Sequence, residues 1–110
     1  MADTGNGVFR SRIDTQDWEP DDEVGGQAHM LFDLGPTKAG LWRSGPDSPS
    51  RPTEVPIPSR ETIVVLEGSV RVGVDGTAHD LATGEMFSIP AGSNVGWDPS
   101  ADCKVFWVYS

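Results

Sequence analysis

Apolar residues in this chain fall in short runs broken by Gly or Pro, and no run of ten or more residues carries a helical stripe, so the pattern predicts β-strands. Val70, Val72 and Val74 alternate with Ser69, Arg71 and Gly73, and Asp75-Gly76 follows at once. That dipeptide between extended segments signals a type I′ hairpin, whose two central residues both need positive φ. A two-residue turn sets Val74 opposite Thr77 and Val72 opposite His79, which places an imidazole on the valine face. Residues 62–66 are apolar on both faces, as in a strand covered on two sides. In the predicted strand Lys104–Tyr109, Val105, Trp107 and Tyr109 share one face and Phe106 and Val108 the other. Residues 29–34, 39–43 and 84–89 complete the predicted strands. The stretch 44–60 holds Pro46, Pro49, Pro52, Pro56 and Pro58, which excludes a helix or central strand and predicts an extended loop or edge segment.

The first 28 residues are different. They are polar and glycine-rich, and Asp17, Glu19, Asp21, Asp22 and Glu23 crowd one short stretch with little apolar surface to offset ordering entropy. The expected organisation is an arm over 1–28, loosely ordered or exchanged onto a partner's sheet, followed by one β-domain over 29–110. The whole chain, 110 residues, suits a single core. Asp and Glu number 17 against 8 Lys and Arg, a formal net charge of -9 that repels nucleic-acid backbones and anionic membrane surfaces. Neither is an expected partner. Cys103 is the only cysteine and no secretory or membrane-spanning pattern is present, so the expected location is the cytoplasm.

Two spaced motifs carry a family resemblance. Glu61 and Gly68 bound "ETIVVLEG", "VRVGVDG" follows, and "GEMFSIPAG" supplies Gly84, Pro90 and Gly92. This order resembles the two motifs of the cupin superfamily. "GLWRSGP", the tryptophan in "PAGSNVGWDP" and the lysine of "CKVFWVYS" are similar to small single-domain cupins related to ureidoglycine aminohydrolase and the ethanolamine-utilisation cupins. The resemblance covers about residues 40–109. It implies an all-β double-stranded β-helix, a jelly-roll barrel in one domain, often homodimeric, with a ligand pocket inside. The metal-binding histidines of the family would fall at Val55 and Ile57, or at Glu54 and Pro56 with the longer spacing, and the later histidine and asparagine positions at Val95 and Pro99. None of these is a histidine, so of the four usual ligands only Glu61 survives, and a lone carboxylate does not make the three or four fixed ligands of a tight site. No metal or other cofactor is expected, a non-standard Glu61 and His79 site being the minor alternative.

The resemblance turns Glu61 into the barrel, where an apolar pocket raises a carboxyl pKa and suits it to proton transfer; pairing with Arg43, Arg60 or a backbone amide is the plain alternative. Trp97, two positions beyond Val95, shares the inward face and either floors a pocket or fills the core. Trp42 joins it by resemblance. His79 is the candidate acid-base partner of Glu61, against the alternative of a structural imidazole. His29 is expected to be exposed or at a dimer contact, and Cys103 inert. The leading expectation is a cupin that binds a small molecule between Trp42, Glu61 and Trp97. The alternatives are a hydrolase or isomerase of small nitrogenous or sugar-derived acids, with Glu61 as general acid or base and His79 assisting, and a closed structural or interaction barrel.

Overall fold

A computed structural model of the chain describes residues 5–45 and 51–110, and its regular elements are all strands. They are β1 (Glu19–Pro20), β2 (Gln27–Asp33), β3 (Lys38–Arg43), β4 (Arg51–Pro56), β5 (Glu61–Glu67), β6 (Ser69–Val74), β7 (Thr77–Ala82), β8 (Met86–Ile89), β9 (Asn94–Pro99) and β10 (Lys104–Tyr109). One antiparallel sheet runs β1-β2-β3-β10-β5-β8 and the other β4-β9-β6-β7. Both sheets turn their apolar faces inward, as in a sandwich closed by its connections. Ile57, Ile63, Val65, Val70, Val72, Leu81, Ile89, Val95 and Val105 form the core between them.

Alternation explains most of this register. Glu61, Ile63 and Val65 are buried while Thr62, Val64 and Leu66 are half-buried, so β5 is covered more on its inner face than its outer one. The β6 to β7 hairpin pairs Val74 with Thr77 and Val72 with His79, as its turn predicts. Asp75 and Gly76 take φ values of 47° and 84°, the two positive angles of a type I′ turn. Both oxygens of Glu54, from β4, accept the Gly76 N–H, and Asp75 Oδ1 accepts the Asn94 N–H, which ties the hairpin to the neighbouring segments.

The proline-rich segment becomes the edge strand β4, the kind of sheet position that tolerates proline; Pro46 and Pro49 lie outside the described residues. β9 is formed from Asn, Gly, Asp and Pro among its residues, a composition with little strand preference. It is a strand because β4 and β6 present ladders on both its sides.

The arm follows the outer edge of the larger sheet. Over the described residues 5–28 it is laid on the chain's own sheet: β1 pairs with the start of β2, Glu19 opposite Ala28 and Pro20 opposite Gln27. Trp18 lies beneath the Arg43 guanidinium, 4.2 Å from its ring centroid, and donates its indole N–H to the Thr15 carbonyl. Lys104 donates to the Ile13 carbonyl, and Phe9 meets Phe32 with ring centroids 5.7 Å apart. A few aromatic and cationic anchors therefore hold a polar segment that has no core of its own.

Candidate functional site

Pairing in the larger sheet stacks side chains into rows on its inner face. The first row crosses Asp33, Lys38, Tyr109 and Glu61 from β2, β3, β10 and β5. The next crosses Met30, Gly40, Trp107 and Ile63, and the third Ala28, Trp42, Val105 and Val65. Val70, Trp97 and Pro99 close over these rows from the smaller sheet, leaving a cavity of about 520 Å³. Its mouth is rimmed by Asp17, Glu19 and the turn Asp21–Asp22–Glu23, which the arm carries over the barrel end.

Glu61 is the chemical centre of this space. Its carboxyl is only 7% exposed. Burial pushes its pKa up to about 7, against which a hydrogen bond from the Tyr109 hydroxyl works by favouring the charged form. Tyr109 in turn is pushed above the ordinary phenol range, first by burial and then by the negative charges of Glu61, Glu23 and Asp21. The phenol therefore stays a donor. Lys38 sits 5.5 Å from the centre of the same ring. The arrangement can hold a proton at Glu61 or accept a hydrogen bond there, beside aromatic walls.

Trp42, Glu61 and Trp97 all line this cavity. Trp42 does more than the sequence indicated, because its indole N–H donates to the Gly25 carbonyl at 2.7 Å and so fastens the acidic turn to the barrel. Gly26 makes that approach feasible: its φ is +68°, and a Cβ there would lie 2.4 Å from the Arg43 carbonyl oxygen and 2.7 Å from the Trp42 ring. His79 is not brought to Glu61. It is half-buried on the Leu81 face of β7, its ring 5.0 Å from that of Phe87, and it does not line the cavity. The valine-face placement holds, but the hairpin carries it away from the first row.

His29 is buried rather than exposed. It is 8% exposed, on the opposite face of β2 from Ala28 and Met30. Its Nδ1–H donates to the Asp17 carbonyl at 2.8 Å, and its Nε2 meets the Ser11 hydroxyl at 2.7 Å. These bonds pin the arm. Cys103 lines the cavity, 1% exposed, with a pKa raised to about 11 by burial and the nearby Asp102 charge. The folded protein is expected to resist iodoacetamide at about pH 8 and to react once unfolded, because the thiolate is the nucleophile. Rapid labelling of the native form would contradict this placement.

The positions where the family keeps metal ligands do not suit a metal here. Ile57 and Val95 belong to the hydrocarbon core, and Val55 is exposed. Among the described residues no group of three or more His, Cys, Asp and Glu side chains converges. Trp107, Lys38 and Asp33 are the site residues that sequence reasoning did not bring forward. The shared face of Trp107 and Tyr109 was visible; the alignment of Lys38 and Asp33 with them depends on cross-strand register.

The family model described as a cupin domain matches residues 42–109. Among solved structures, KdgF from a Halomonas species aligns with a TM-score of 0.71 at 22% identity, covering 94% of this chain and 93% of that one. An RmlC-like cupin from Shewanella frigidimarina aligns at 0.71 and 20% identity over 93% and 88% of the two chains. A putative ethanolamine utilization protein Q from Salmonella typhimurium aligns at 0.68 and 17% identity over 84% and 76%. No curated protein matches the sequence.

Proposed function

The chain belongs to the cupin family, and on that premise we propose that it is a small-molecule-binding cupin whose ligand sits inside the barrel against Trp42, Trp97 and Glu61. One observation carries this reading: the cavity of about 520 Å³ is lined by indole rings and by a buried carboxyl. Ligand sites commonly combine such apolar walls with a few converging polar groups. A barrel packed shut would leave no such space. From its sequence motifs we also propose that the chain lies near the branch of ureidoglycine aminohydrolase and the ethanolamine-utilisation cupins.

A thermal-shift panel of small amines, carboxylates and ureido compounds is expected to give at least one concentration-dependent rise, absent in Trp97→Ala. A flat panel would count against the reading. We propose further that binding needs no metal, since Ile57 and Val95 supply hydrocarbon where the family has imidazoles. Elemental analysis of protein purified without chelator is expected to find no stoichiometric transition metal. The protein is proposed to be cytoplasmic and homodimeric, the latter testable by light scattering.

Glu61 supports a second reading. A carboxyl with a pKa near 7, hydrogen-bonded to a phenol inside a pocket, is poised to give or take a proton at neutral pH. The protein would then be a hydrolase or isomerase of small nitrogenous or sugar-derived acids. Turnover would show a pH limb near neutrality that Glu61→Gln removes, with Tyr109 rather than His79 as the neighbouring proton group.

A further inference from the structure

We propose that the barrel's ligand is a small organic cation, an ammonium or guanidinium on an apolar body, held with its charge toward Glu61 and its body against the indole rings. This rests on the reading that the barrel interior is a ligand site, and it names the chemistry of what enters.

Charge around the cavity is strongly one-sided. Among the described residues, seven acidic side chains line it, against one basic side chain, Lys38. The acids differ in exposure. Glu19, Asp22 and Glu23 are exposed, while Glu61 is buried. A cation meets attractive potential throughout such a cavity, strengthened where low-dielectric walls surround the buried carboxyl. An anion would shed its hydration among like charges and find one lysine.

The walls narrow the class further. A bare divalent ion requires several oxygens converging at fixed distances. The described residues offer no such convergence, because the carboxylates are spread around the mouth rather than gathered. Three indoles, those of Trp42, Trp97 and Trp107, face the space instead. Aromatic faces carry negative quadrupole density and attract diffuse organic cations, while their area covers an apolar body. The turn that carries Asp21, Asp22 and Glu23 is itself held in place. The Asp21 side chain accepts the Glu23 and Val24 N–H groups, the Gly25 N–H donates to the Asp21 carbonyl, and Trp42 bonds Gly25. The side chains of Asp22 and Glu23 are thus presented on a fixed frame at the entrance.

Three probes of one shape and different charge test the inference: benzylamine, benzyl alcohol and benzoate, titrated calorimetrically into the full-length protein at about pH 8, where an alkylammonium and Glu61 are both ionised. Benzylamine is expected to bind at least about tenfold more tightly than either companion. Glu61→Gln is expected to bring benzylamine down to the level of the alcohol. The exposed pair Asp22→Asn and Glu23→Gln, which alters no buried group, is expected to weaken benzylamine about threefold and to flatten its salt dependence. Benzoate or benzyl alcohol binding as well as benzylamine would overturn the cationic class and leave barrel binding standing. Silence from all three probes, with a hit elsewhere in the broader panel, would also overturn the class. Silence across the whole panel would remove the binding reading as well.

Discussion

Glu61→Gln is expected to stabilise the protein at about pH 8 and to leave it almost unchanged near pH 4. The folded carboxyl titrates at about 7 and its ordinary value is 4.5, so between those values the unfolded chain releases a proton that the folded chain keeps. The native state then binds more protons, and stability falls as pH rises through that window. Below it both states are protonated and the group contributes nothing. Above it the full cost is present, on the order of 3 kcal/mol for a shift of this size. Glutamine keeps the shape and an acceptor for Tyr109 but carries no charge to desolvate. A gain in unfolding midpoint of roughly 10 °C at about pH 8, shrinking to nothing in acid, is the corresponding observable. If parent and variant lose stability in parallel between about pH 5 and 8, Glu61 is not the buried, upshifted group described above.

The opposite sign is expected for Trp42→Ala, which should cost roughly 2 to 3 kcal/mol by emptying half-buried indole volume next to Val105 and leaving the Gly25 carbonyl without its donor. The loss should be local as well as global. The Asp21 N–H, bonded to Gly26, and the Gly25 N–H, bonded to Asp21, should exchange faster with solvent than in the parent, while the β6 to β7 hairpin keeps its protection. Trp97→Ala provides the contrast, since Trp97 has no bond to the arm among those observed and its loss should enlarge the cavity without freeing the turn. Equal exchange behaviour in the two variants would mean that Trp42 does not anchor the arm.

Much of the architecture was legible because β-structure writes a two-residue period into the chain. The alternation of Val70, Val72 and Val74, the Asp75-Gly76 turn and the face shared by Val105, Trp107 and Tyr109 each state a strand and its inward side without reference to anything distant. The two glycine- and proline-bearing motifs carried the family. β9 was illegible for the converse reason: Gly96, Asp98 and Pro99 prefer no strand, and only the ladders of β4 and β6 impose one. The contacts of the arm were not legible in its composition: its acidic residues have no core to bury, and its placement rests on Trp18 meeting Arg43 and on Ser11 and Asp17 meeting His29, partners that lie beyond the arm.

The candidate site divides along the same line. Glu61 and Trp97 could be named from motif spacing, and an inward carboxyl implies a raised pKa wherever the barrel closes over it. His79 was placed correctly on its strand and still fell short of Glu61, because a shared face says nothing of position along the barrel. Local order in the chain dictates period, turns and which side of each strand is apolar, since those depend on neighbours a few residues apart. The row of Asp33, Lys38, Tyr109 and Glu61, and the acidic turn lowered over it, come from four strands and an arm distant in sequence. Their meeting is set by sheet order and register, which are properties of the folded barrel and are written in no local stretch of residues.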